Sequence, residues 1–66
     1  MRTELKVLRI KKQLTQTQLA SKLGTTVANY CLIEKGTRNG SKDFWNKIQK
    51  FYILKDGEVC KLYNNK

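Results

Sequence analysis

The chain has 66 residues and a formal net charge of +9, with 14 lysines and arginines against 5 acidic residues. That length supports one small domain, which buries only about 60% of its unfolded surface, and so basic a balance points to a polyanion: DNA, RNA or an anionic membrane. No segment is apolar and long enough to span a bilayer. Met1-Arg2-Thr3-Glu4 lacks the apolar stretch of a signal peptide, so a cytoplasmic location is expected. The absence of proline and the scarcity of glycine suit a compact helical bundle. Cys31 and Cys60 are far apart, and the chain has no histidine, which argues against a zinc site and a redox motif. Both cysteines read as reduced, small apolar side chains packed in the fold. Without histidine, paired-carboxylate spacing or a glycine-rich phosphate loop, no catalytic apparatus is expected, and no metal or cofactor.

Thr3 is placed to cap a first helix, with Glu4 in its first turn. This helix is expected over residues 4–13, with Leu5 and Leu8 on one face and Arg9 beside them. Ile10 could pack under a C-terminal helix, and Val7 reads as exposed. Leu14 is a buried connector, and Thr15-x-x-Gln18 has the form of a capping box for a second helix over residues 16–23. Its inner face carries Leu19, Ala20 and Leu23. Gly24 ends it, because the turn needs a left-handed residue. Thr25 or Thr26 caps a third helix over residues 26–35, with Tyr30 and Ile33 inward. A small residue at the crossing, a glycine at the turn and apolar inner faces make residues 16–35 a helix-turn-helix.

Gly36 closes the third helix, and Thr37-Arg38-Asn39-Gly40 is a polar loop. Ser41 caps a fourth helix. Phe44, Trp45, Ile48, Phe51 and Tyr52 then make the clearest amphipathic stripe of the chain, which reads as hydrophobic core. After Lys55-Asp56-Gly57 two readings compete. Asp-Gly is a hairpin signal, whereas Asp56 as cap, Glu58 in the first turn and Val59 with Leu62 on one face make a short fifth helix. No partner strand is at hand, so the helix is preferred. The expected architecture is all-α, a compact bundle of four to five helices in one domain over residues 1–63, with a frayed tail at 64–66.

Thr15-Gln16-x-x-Leu19-Ala20-x-x-Leu23-Gly24, followed by Ile33-Glu34-x-Gly36, resembles the helix-turn-helix domain of the phage-repressor and Cro type, the XRE family. The resemblance runs from about Leu5 to about Leu54, and the turn Gly24-Thr25-Thr26 is that of its 434-type repressors. It implies a lambda-repressor-like fold and sequence-specific binding of double-stranded DNA, with the third helix in the major groove. The protein would then be a small transcriptional regulator. Family members often carry proline where Gly40 stands, so the loop is expected to be freer here.

In the resembled family the positions matching Val27, Ala28, Asn29 and Leu32 reach base edges. Asn29 alone among them can hydrogen-bond a base, with adenine its natural bidentate partner, and the apolar three suit thymine methyls. An A·T-biased site is therefore expected. Phosphate contacts are expected from Gln16, Thr26, Lys35, Arg38 and Asn39. The resemblance implies a partly buried ion pair between Arg9 and Glu34. It also implies a homodimer on DNA, with Tyr52, Ile53, Leu54, Val59, Leu62 and Tyr63 as contact candidates. Because Val27, Ala28 and Leu32 are apolar, the alternative is a protein-interaction module of antitoxin or antirepressor type, docking a protein partner on the same face. Loose binding to RNA or a membrane surface is disfavoured, because the basic residues are spread and no aromatic stacking platform accompanies them.

Overall fold

The computed structural model describes residues 1–64. Five helices and no strand occur among them: α1 (Thr3–Lys11), α2 (Gln16–Leu23), α3 (Val27–Lys35), α4 (Lys42–Tyr52) and α5 (Asp56–Asn64). The chain is an all-α bundle with a radius of gyration of 10.4 Å, close to the value of about 11 Å for a packed domain of this length. Capping chemistry divides it. The Thr15 hydroxyl accepts from the Gln18 amide at 3.1 Å, and the Gln18 side chain accepts from the Thr15 amide at 2.9 Å. Thr26 and Ser41 cap α3 and α4 in the same way, accepting from the Asn29 and Phe44 amides.

Two starts differ from the sequence expectation. Arg2, not Thr3, occupies the cap position of α1, and no side chain caps that helix. At α5 the cap position is Lys55, whose amide donates to the Glu58 carboxylate at 3.1 Å. Asp56 instead accepts from Gln49 Nε2 at 2.7 Å, which ties α5 back to α4. Gly57 lies inside the helix rather than in a hairpin turn. α5 also runs one residue further than expected, so Asn64 is helical and not part of a tail. Asn65 and Lys66, the rest of that tail, lie outside the described residues.

The core gathers Leu5 of α1, Leu19, Ala20 and Leu23 of α2, Tyr30 and Ile33 of α3, Phe44, Trp45 and Ile48 of α4 and Leu62 of α5. Phe51, Tyr52, Leu8, Leu14, Leu54 and Val59 are partly buried against it. Ile10 is 54% exposed and packs under no C-terminal helix. Cys60 is exposed, so only Cys31 has the half-buried setting expected of both thiols. Leu62 belongs to the core at 4% exposure and is removed from the dimer candidates.

The loop after α3 is held more firmly than its glycine suggests. Gly40 has φ +83°, which proline cannot adopt. A Cβ there would lie 3.0 Å from Trp45 Nε1 and 3.2 Å from Ile33 Cδ1. Trp45 Nε1 also donates to the Asn39 carbonyl at 2.8 Å. The glycine is thus required by backbone and space together, and the expected freedom of the loop is not found.

Ile53 ends α4 in the left-handed region at φ +55°, while its side chain is 90% exposed. A β-branched residue is penalised there by about 1–2 kcal/mol. Ile53→Gly is predicted to raise stability by about 1 kcal/mol, because it removes this strain and almost no packing. Urea denaturation checks this; an unchanged or lower midpoint contradicts it.

Candidate nucleic-acid interface

α2 and α3 pack together, and Ala20 on the inner face of α2 is 2% exposed. Gly24 turns the chain between them at φ +71°. Tyr30, Ile33 and Glu34 form the buried side of α3. Val27, Ala28 and Lys35 are exposed, while Asn29 and Leu32 are half-buried. The base-reading candidates thus share a side of α3 that is at least partly open to solvent.

Asn29 is not free on that face. Its Nδ2 donates to Thr25 Oγ1 at 2.8 Å, and its Oδ1 accepts from an Arg38 guanidinium nitrogen at 2.7 Å. Among the phosphate candidates, Thr26, Lys35, Arg38 and Asn39 are exposed around the two ends of α3 and the loop that follows. Gln16 is placed differently. Its side-chain oxygen accepts from the Cys31 thiol at 2.9 Å, and its nitrogen donates to Glu34 at 3.3 Å. The Gln16 amide is therefore engaged at the junction of α2 and α3 rather than extended towards a ligand.

Glu34, 1% exposed, forms an ion pair with Arg9 through Nε–Oε2 at 3.1 Å and a longer second bond at 3.4 Å. Arg9 also donates to the Leu14 carbonyl at 2.8 Å, joining α1, the connector and α3. Burial alone would lower the Arg9 pKa, but the hydrogen bond and charge of Glu34 outweigh it and raise the value. Burial, reinforced by Glu34, pushes the Tyr30 hydroxyl well above its ordinary pKa. Tyr52 is pushed up to about 12 by burial, with Arg9 opposing and Glu34 adding to the shift.

A second arginine escaped sequence reasoning. Arg2 is wholly buried. Its guanidinium donates to the carbonyls of Ile33, of Arg38 at 2.9 Å and of Tyr63 at 3.3 Å. It also lies 5.2 Å from the Trp45 ring and 5.9 Å from the Tyr63 ring. Its backbone amide donates to the Glu34 carbonyl at 2.8 Å. Burial lowers its pKa, and Tyr63 partly restores it. An arginine before a first helix carries no signal for such a role; only the position of two distant helix ends makes it visible.

The remaining dimer candidates are unequal. Ile53 and Tyr63 are exposed, Leu54 and Val59 are half-buried, and the half-buried Tyr52 packs edge-on against Phe51 at 5.0 Å with its hydroxyl buried. Among the described residues no helix is long and apolar enough to cross a membrane. Comparison with family models, with curated proteins and with solved structures finds no match to this chain.

Glu34→Ala strands Arg9 and is expected to cost about 3 kcal/mol in urea denaturation; a loss below about 0.5 kcal/mol would show that the pair behaves as a surface one. For Tyr52, the raised folded pKa favours the neutral phenol. Its contribution is complete below the free-tyrosine pKa of about 10 and is lost as pH climbs towards about 12. Tyr52→Phe should therefore move the midpoint of alkaline unfolding upwards, and an unchanged midpoint contradicts this.

Proposed function

We propose that this chain is a double-stranded DNA-binding module of the phage-repressor and Cro type, acting by binding rather than catalysis as a small transcriptional regulator. α3 is its recognition helix, lying in the major groove, and a homodimer on a near-palindromic site is the working form. A cytoplasmic location goes with this role. The observation that carries the reading is the outer side of α3. Val27, Ala28 and Lys35 stand exposed there, and Arg38 lies against Asn29 on the same helix, in a chain of charge +9. A helix packed on one side only, with Lys35 in its last turn and the Arg38 guanidinium against its first, suits a groove bordered by phosphates.

A second reading keeps the same face but changes its partner. Val27 is 41% exposed and stands beside the exposed Ala28. An apolar start to α3 suits a protein surface of antitoxin or antirepressor type. The two readings separate on salt, because phosphate contacts release counterions and apolar docking does not.

Binding selection from random duplex DNA, followed by affinity measurement across salt concentrations, is the test. The expected result is an enriched near-palindromic motif bound two chains to one duplex, with log affinity falling steeply against log salt. No enriched motif, or a one-to-one complex on a palindrome, overturns the sequence-reading dimer.

A further inference from the structure

We propose that Arg38, buttressed by Asn29, is the principal base-reading side chain, and that it reads guanine. This rests on the DNA-binding reading and names the base that the face recognises. An unencumbered asparagine pairs with adenine by offering one acceptor and one donor together. Asn29 has already used one of each. Its Oδ1 takes a charge-assisted bond from Arg38 at 2.7 Å, and its Nδ2 donates to Thr25 Oγ1 at 2.8 Å. One N–H and one lone pair of Asn29 stay uncommitted, and with the four other N–H groups of Arg38 what the pair has left is mainly donors. A guanidinium has five N–H groups in a fixed fork, and the bond to Asn29 engages one of them. That fork matches the two acceptors, O6 and N7, on the major-groove edge of guanine.

Arg38 is also held at both ends. Its amide donates to the Leu32 carbonyl at 3.2 Å, and its own carbonyl accepts from the buried Arg2 at 2.9 Å. Its tip rests on Asn29, in the first turn of α3 beside Val27 and Ala28. An arginine anchored in this way loses less freedom on binding than a solvated lysine. Val27, Ala28 and Leu32 offer no polar group to compete for the same base. The half-site expected is one guanine flanked by A·T pairs whose thymine methyls meet those apolar side chains. The proposal departs from the adenine-reading role that the resemblance implies for Asn29 and from the phosphate contact expected of Arg38.

The test uses the duplex selected by the wild-type chain and versions of it with each G·C pair changed to A·T. Affinities are measured by fluorescence anisotropy for wild type, Arg38→Ala, Arg38→Lys, Asn29→Ala and the double alanine variant. Wild type should lose about tenfold or more when the critical guanine is replaced. Arg38→Ala and Asn29→Ala should each erase discrimination at that same base pair, and the double variant should be no worse than Arg38→Ala. Arg38→Lys should keep most of the affinity but lose the preference, because an ammonium lacks the fork. The proposal is overturned by a selected motif without guanine. It is overturned equally if Arg38→Ala weakens all duplexes alike and reduces the salt slope by about one, the signature of a phosphate contact. Independent relaxation of an A·T pair by Asn29→Ala also overturns it, by restoring asparagine as a direct reader. If wild type enriches no motif at all, the DNA reading beneath the proposal falls with it.

Discussion

Two arginines, the wholly buried Arg2 and the half-buried Arg9, hold the C-terminal end of α3. The last carbonyls of a helix have no partners within it and carry its negative dipole end. Arg2 meets that need at two helices at once, donating to Ile33 near the end of α3 and to Tyr63 near the end of α5. The same guanidinium reaches the loop at Arg38, and the Trp45 and Tyr63 rings lie within cation–π distance of it. Arg9 acts through a side chain instead, pairing with Glu34 from α1. Desolvation offsets much of what such buried charges contribute to stability. Their clearer effect is geometric. Gly36 ends α3, and the two arginines tie that end and the following loop to α1 and α5.

That placement connects the core to the surface. Arg38 is exposed, yet its carbonyl touches the most deeply buried cation of the fold. Gly40 and Asn39 continue the same loop and are fixed against Trp45. The loop is thus a short bridge between the hydrophobic core and the outer side of α3. Its order comes from packing rather than from the rigid proline that the resembled family often uses. The polar residues of the second layer share this logic. Gln16 links the Cys31 thiol to Glu34, so the start of α2 is joined to the middle and end of α3.

Much of this architecture was legible in the residues because it is local. Thr15, Thr26 and Ser41 announce their helices through capping chemistry, Gly24 and Gly36 end two of them, and the stripe from Phe44 to Tyr52 has one packed face. A role set by distant chain is not legible in this way. Asp56 reads as a cap until Gln49 is seen to claim its carboxylate. Ile10 could by its position pack under a C-terminal helix, yet it stands exposed. The resemblance makes Leu62 an interface candidate, yet its side chain completes the core. Arg2 was invisible for the same reason, since its partners lie in α3, the loop and α5. At the site, the positions on α3 were readable from periodicity, but the bond between Asn29 and Arg38 was not, because it joins a helix to a loop nine residues away.

Docking of duplex DNA on the outer side of α3 and the loop that Arg2 holds is the proposal on which the proposed base reading rests. Amide chemical-shift mapping of isotope-labelled protein, titrated with a random-sequence duplex at low salt, tests it most directly. Shifts concentrated from Thr25 to Asn39, with the amides of α1 and α5 unmoved, are the predicted result. Shifts spread over the lysines of α1, α4 and α5, with α3 silent, would contradict the account and leave only diffuse attraction between a basic chain and a polyanion.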